Sequence, residues 1–330
     1  MFYIGPIANY SLNHRRNLFD IAKSSMKSIY PIFGLFLLLS SMQLQAERYQ
    51  LPKNGDSIVG QMSLITAKES DTFIELARRY SLGFQELVLA NPNVDPWLPG
   101  EGTQVVIPTR YILPNTKHKG LILNLAEMRV YYFPKNAPGD VHTYPISIGK
   151  EGWDTPNTQT SVIGMKKNPT WTPPESIRKE HEEKNDPLPA TVPPGPDNPL
   201  GDYAIRLGLS GYLIHGTNNP RGIGMKVTHG CVRLHPDDIK DLFGRVSINT
   251  PVTIVNEPYK LAWSDGKLYV EMHPSDGDET GTNSRNLTQF VQAIIGATKS
   301  KEGYKINWEL ANQLAKNKTG LPISVGTKIQ

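Results

Sequence analysis

Apolar and polar residues follow two rhythms along this chain, helical at first and then β. Met62-Ser63-Leu64-Ile65-Thr66 reads as a short strand, and Thr72-Phe73-Ile74-Glu75 has the spacing of a capping box. Phe73, Leu76, Ala77 and Tyr80 then fall at i, i+3, i+4 and i+7, one face of a helix. Ser81-Leu82-Gly83 ends that helix, and Phe84 to Ala90 predicts a second short one. Pro99-Gly100-Glu101-Gly102 is a turn, and Thr103 to Ile107 is a strand stopped by Pro108.

From Gly120 onward β-rich runs take over. Leu121 to Leu125 and Arg129 to Phe133 predict a hairpin about Ala126-Glu127-Met128, and Val141 to Ile148 predicts another strand. Residues 158–199 hold nine prolines from Pro169 to Pro199, so no long regular structure is expected there beyond a polar helical turn at 176–183. An excursion of that length between strands is usually a lid or a binding loop. Tyr203 to Leu209 and Tyr212 to His215 resume the sheet. Pro236-Asp237-Asp238 starts a helix carrying Ile239, Leu242 and Phe243, and Val252 to Val255 is expected as a closing strand. In the tail, Leu261 to Val270 looks like a hairpin turning at Asp265-Gly266. A polar linker at 274–285, helices at 287–297 and 308–315 and a strand at 321–325 complete it, with no residue that suggests chemistry.

The N-terminus decides which compartment to expect. Arg15, Arg16, Lys23 and Lys27 lead into an apolar run from Ile29 to Leu39. A membrane-spanning helix needs about 20 apolar residues, so no stable span is expected. Small and polar residues follow to Ala46, where a signal peptidase would cut before Glu47. Residues 1–46 therefore read as a secretory signal peptide, and Met26-Lys27 with the apolar run behind it is a normal signal by itself. An uncleaved anchor is the alternative, because Leu44 is bulky three positions before the cut. The net charge of +4 is spread without long Lys/Arg runs, which leaves no footprint for nucleic acid.

Export also changes the reading of Cys231, the only cysteine in 330 residues. Without an internal partner in an oxidising compartment, it is either a reactive thiol or half of an intermolecular bridge. Its context, Thr228-His229-Gly230-Cys231-Val232-Arg233, favours the reactive thiol. A thiol attacks as thiolate and needs a base, and His229 and the upstream His215 both supply imidazole. Gly230 removes a side chain where the backbone approaches an acyl group and leaves N–H groups to hold an oxyanion. A zinc site from His215, His229, Cys231 and His235 competes poorly, because His229 and Cys231 are too close to serve easily together. A papain-like order is excluded, since there the cysteine precedes its histidine. No metal and no cofactor are expected. His118, His142, His181 and His273 show no motif and read as surface or satisfied histidines.

Residues 62–110 resemble the LysM module, which binds N-acetylglucosamine-containing glycans, through Glu69-Ser70-Asp71-Thr72, Leu76-Ala77, Leu89-Ala90-Asn91-Pro92 and Leu98-Pro99-Gly100. Ile214-His215-Gly216 through Thr228-His229-Gly230-Cys231 is similar to the L,D-transpeptidase signature of histidine, spacer, then Ser/Thr-His-Gly-Cys. Ala126-Glu127-Met128-Arg129, Pro169-Thr170-Trp171-Thr172-Pro173-Pro174 and Pro194-Gly195-Pro196-Asp197-Asn198-Pro199 look like the periplasmic Gram-negative branch of that family. The resemblance implies a mostly β catalytic domain of sandwich or barrel type at 118–256. A small α+β LysM module at 62–110 would precede it, and a short α/β extension at 257–330 would follow. It further implies that Cys231 is the nucleophile, His215 its proton acceptor and the Gly216 carbonyl the orienting group. His229 would line the site, and the N–H groups of Gly230 and Cys231 would hold the oxyanion. Arg233 would grip a substrate carboxylate or be fixed to Asp237 or Asp238. The implied partners are peptidoglycan stem peptides and glycan strands, and an outer-membrane lipoprotein as an acceptor, all in the periplasm. A hydrolytic variant and a non-catalytic wall-binding protein stand as alternatives.

Overall fold

The structure, a computed structural model, describes residues 47–52, 55–275, 284–299 and 303–329. The expected signal peptide lies outside the described residues, as does most of the expected linker. The chain enters through β1 (Glu47–Gln50) and β2 (Ile58–Gly60). A strand–helix–helix–strand unit follows: β3 (Ser63–Thr66), α1 (Phe73–Arg79), α2 (Phe84–Ala90) and β4 (Gln104–Ile107). β3 and β4 pair antiparallel, and β5 (Arg110–Ile112) returns to pair with β2. The capping box forms as its spacing predicts: the Glu75 N–H donates to Thr72 Oγ1, and the Thr72 N–H donates to the Glu75 carboxylate.

β6 (Gly120–Asn124) and β7 (Arg129–Phe133) make the expected hairpin, with Met128 in the left-handed region at its turn. Next come β8 (Asp140–Pro145), β9 (Ile148–Gly149), β10 (Thr158–Lys167), α3 (Glu175–Glu183), β11 (Tyr203–Leu207) and β12 (Leu213–His215). β13 (Lys226–Thr228), β14 (Val232–Arg233), α4 (Pro236–Arg245) and β15 (Pro251–Val255) finish this part. β9 and β13 pair with each other, and the remaining strands join β1 in a mixed nine-stranded sheet ordered β1-β8-β7-β6-β15-β10-β11-β12-β14. The pairs β6/β15 and β12/β14 are parallel, and the other neighbours are antiparallel.

Two sequence expectations are corrected here. Residues 158–167, assigned to the proline-rich excursion, form the ten-residue strand β10, because the prolines begin only at Pro169. β15 does not close the sheet at an edge; it lies inside it, between β6 and β10.

Alternation along β6 and β7 feeds two cores. Leu121, Leu123, Val130 and Tyr132 join the cluster under α4, whereas Ile122, Tyr131 and Phe133 join Phe73, Leu76, Leu82 and Leu87 of the helical unit. The 62–110 unit is therefore packed on the sheet rather than tethered beside it. Arg129, wholly buried, reaches across that junction to Glu86 at 2.7 Å, to the Ser81 carbonyl at 3.1 Å and over the Tyr111 ring at 4.4 Å.

The tail contains β16 (Tyr259–Ser264), β17 (Lys267–Met272), α5 (Ser284–Thr298), β18 (Tyr304–Ile306), α6 (Trp308–Asn317) and β19 (Ile323–Lys328). Its strands form a sheet ordered β16-β17-β19-β18, turning at Asp265 and Gly266 with φ of 50° and 71°. A polar group unseen in the sequence joins tail to sheet: buried Lys260 Nζ lies 2.6 Å from Glu127 and 2.7 Å from Glu271, which pairs with His273. Among the described residues no helix is long and apolar enough to cross a membrane.

Candidate active site

β12 ends on His215, and β14 starts one residue after Cys231. The strands are parallel neighbours, with Ile214 opposite Val232 and His215 opposite Arg233. Continuing that register by one step sets Cys231 beside Leu213. Strand alternation then separates the faces. Ile214 and Val232 enter the core, so Leu213, His215, Cys231 and Arg233 share the opposite face.

His215 is buried and Cys231 is partly buried, with opposite consequences for the two groups. Burial pushes the Cys231 thiol up, while a backbone hydrogen bond from Leu213 and the Arg233 charge pull it back. Burial, and then Arg233, push His215 down to about 4, against hydrogen bonds to the Gly216 and Leu200 carbonyls. The resting pair is thus a neutral thiol and a neutral imidazole. His215 Nδ1 lies 2.7 Å from the Gly216 carbonyl oxygen; a carbonyl only accepts, so Nδ1 carries the proton and Nε2 is the free base. The thiol points at the Gly211 carbonyl, 3.6 Å away.

The loop before Cys231 is held by threonines. Thr228 Oγ1 donates to the Cys231 carbonyl at 2.6 Å and accepts from the Gly230 N–H at 3.2 Å. Thr155 Oγ1 donates to the Gly230 carbonyl at 2.8 Å. Gly230 has a φ of 96°, and a Cβ there would stand 3.2 Å from the Tyr212 ring, so both backbone and space call for glycine. The Gly230 N–H, expected to hold an oxyanion, is thus occupied within its own loop.

His229 faces the proline-rich excursion. Its Nε2 lies 2.7 Å from Glu180 Oε2 of α3, and Trp153 packs edge-on against it at 4.7 Å. Glu180 Oε1 accepts from Lys150 at 3.0 Å and from Lys184 at 2.7 Å. Hydrogen bonds from these three partners hold its carboxyl far below the usual carboxylate range. Sequence reading missed Glu180, because a single acid in a polar helical turn carries no spacing signal.

Arg233 is not fixed to either aspartate considered for it. Arg78 takes both, Asp237 at 2.5 Å and Asp238 at 3.2 Å. Arg233 Nε is buried and has no hydrogen-bond partner among the described residues. His235 is spent elsewhere: its Nδ1 accepts from the Asp237 N–H and caps α4. Among the described residues the one grouping with metal-ligand spacing is Glu127, Glu271 and His273, and there Lys260 Nζ already holds the place of a cation. A cavity of about 400 Å³ lies between α1 and the 220–223 and 235–238 segments, and neither Cys231 nor His215 lines it.

The chain is similar to known proteins over most of its length. Residues 118–254 match the family model described as the L,D-transpeptidase catalytic domain. Over 288 residues the chain is 41% identical to the "Probable L,D-transpeptidase YbiS" of Escherichia coli (strain K12), covering 84% of this chain and 92% of that protein. It is 36% identical over 312 residues to the "Probable L,D-transpeptidase ErfK/SrfK" of the same strain, covering 92% and 98%. The NMR structure of the catalytic domain from E. faecium L,D-transpeptidase aligns with 43% of this chain and 99% of its own, at 21% identity and a TM-score of 0.31.

Proposed function

Since this chain belongs to the L,D-transpeptidase family, whose members are cysteine enzymes acting on peptidoglycan, we propose that Cys231 is its nucleophile and His215 its base. The observation that supports this most is the shared face of two adjacent parallel strands, on which a neutral, shielded histidine sits diagonally across from the only thiol. The donor is a tetrapeptide stem of peptidoglycan. As Sγ bonds to the carbonyl carbon of the third residue, its proton passes to His215 Nε2. The tetrahedral oxyanion collapses, the bond to D-alanine breaks, and the leaving nitrogen takes the proton from the imidazolium. A thioester on Cys231 remains. An amine then attacks it and surrenders a proton to His215; the sulfur leaves and recovers that proton. Two acyl transfers replace one difficult amide exchange.

The Cys231 N–H is the first oxyanion donor in this reading, and the Gly230 N–H joins only if it releases Thr228. Arg233, a half-buried cation whose buried Nε has no partner among the described residues, receives a substrate carboxylate. The acceptor is a lipoprotein C-terminal lysine or a diaminopimelate side chain. The 62–110 unit acts as a LysM module on the glycan strand, and the enzyme works in the periplasm after export on residues 1–46.

The test is intact-mass spectrometry of the protein with a disaccharide-tetrapeptide, with and without a peptide ending in lysine. An adduct on Cys231 that moves to the lysine supports the transpeptidase. An adduct released only by water marks a hydrolase, and no adduct at all removes the nucleophile assignment.

A further inference from the structure

α3 crosses to the active site without burying any of its residues. Among the described residues, the ion pairs that tie it to the 150 and 229 segments all run through Glu180. That carboxylate carries three cationic or protic partners, and they are not equivalent. Oε2 is engaged by His229, two residues before Cys231. Oε1 is shared by two primary ammonium groups, Lys150 and Lys184. Lys184 bonds at 2.7 Å, but it is more exposed than Lys150 and lies one helical turn from Glu180, which makes it the partner most open to displacement. A carboxylate beside the nucleophile loop is therefore already loaded with the functional group that an amine acceptor brings.

Resting on the transfer reading, we propose that Glu180 is the docking group for the acceptor's primary ammonium, which takes the place of Lys184 on Oε1 while Oε2 stays on His229. Trp153, edge-on to His229, gives the aliphatic stem of such an acceptor an apolar wall. Glu180 binds the ammonium and does not deprotonate it, because hydrogen bonds from Lys184, Lys150 and His229 hold the carboxyl far below the usual range. The ammonium gives its first proton to solvent, and the neutral amine then attacks the thioester and passes its second proton to His215. The site selects lysine-type and diaminopimelate-type amines over water by charge, and it is carried by the excursion rather than by the sheet.

The experiment uses the full chain, a disaccharide-tetrapeptide donor and a short lysine-terminated peptide as acceptor, with products followed by mass spectrometry. Glu180→Gln keeps the shape of a half-buried helical residue and removes its charge. The half-saturating acceptor concentration should rise about three- to fivefold, and the hydrolysed share should grow. Any change in the rate of Cys231 acylation should be several times smaller. Lys184→Gln should act in the opposite direction and lower the half-saturating concentration about two- to threefold, because it leaves Lys150 as the one ammonium on Oε1. If Glu180→Gln slows acylation and transfer in equal proportion, the residue is a structural latch and the proposal falls. An unchanged half-saturating concentration overturns it too. Transfer by the unsubstituted enzyme with an indifferent Glu180→Gln sinks the docking role alone; acylation without transfer to any amine sinks the transfer reading with it.

Discussion

Burial acts on the two central side chains in opposite directions, raising the thiol of Cys231 and lowering the imidazole of His215 to about 4. The unreacted enzyme therefore holds no preformed thiolate–imidazolium pair, and proton transfer must accompany attack. Alkylation of Cys231 by iodoacetamide should be slow at neutral pH and still be climbing above pH 9; a plateau near pH 7 would contradict the raised thiol. The sign for acylation follows from the base, which must be unprotonated. Above about pH 4 His215 is mostly neutral, so single-turnover acylation should persist at pH 5 and fall only as pH drops through about 4. An ordinary histidine would place that fall near 6.5, and a profile breaking there would argue against His215 as the base. Cys231→Ala should leave no adduct in intact-mass spectra. His215→Ala should slow acylation by about 10²- to 10⁴-fold, the usual worth of a positioned base, and His229→Ala should cost less.

The seam between the helical unit and the sheet is as demanding as any core. A Cβ on Gly224 would lie 2.3 Å from the Gly83 Cα and 2.4 Å from the Phe84 nitrogen, backbone atoms that cannot swing aside. Gly224 also has a φ of 81°, which an L side chain rarely adopts. Gly224→Ala should thus lower stability by about 2–3 kcal/mol in urea unfolding. Glu86→Ala strands the buried Arg129 charge and should cost about 3–5 kcal/mol, whereas an exposed pair such as Lys179 with Glu175 should be nearly silent when broken. Equal losses from the two pairs would show that burial is not what makes the first one matter.

At the scale of the whole molecule, the sheet strands β6 and β7 are buried on both faces, one covered by the α4 side and the other by the 62–110 unit. Deleting residues 62–110 would bare Ile122, Tyr131 and Phe133 together with unpaired Arg129. The shortened chain should lose soluble expression and a cooperative melt. A deletion that melts normally would show that the two parts are independent. Much of this molecule was legible in the sequence, because its signals are local. The capping box at Thr72, the Asp265-Gly266 turn, the alternation of β6 and β7 and the His-Gly-Cys run each depend on a few adjacent residues whose backbone preferences act at short range. β10 was hidden because the prolines beyond it masked a polar, half-exposed strand. The partners of Arg129 and Lys260, and those of Glu180 at Lys150 and His229, were hidden for a different reason: they lie far apart in sequence. Which acid meets which base is decided by packing and desolvation, which no single segment records. The sequence by itself named the thiol, the histidine and the glycine between them. Only the tertiary structure decided that Arg233 Nε has no partner among the described residues, that the Gly230 N–H is occupied and that a carboxylate from the excursion reaches His229, because each depends on which distant segments pack together.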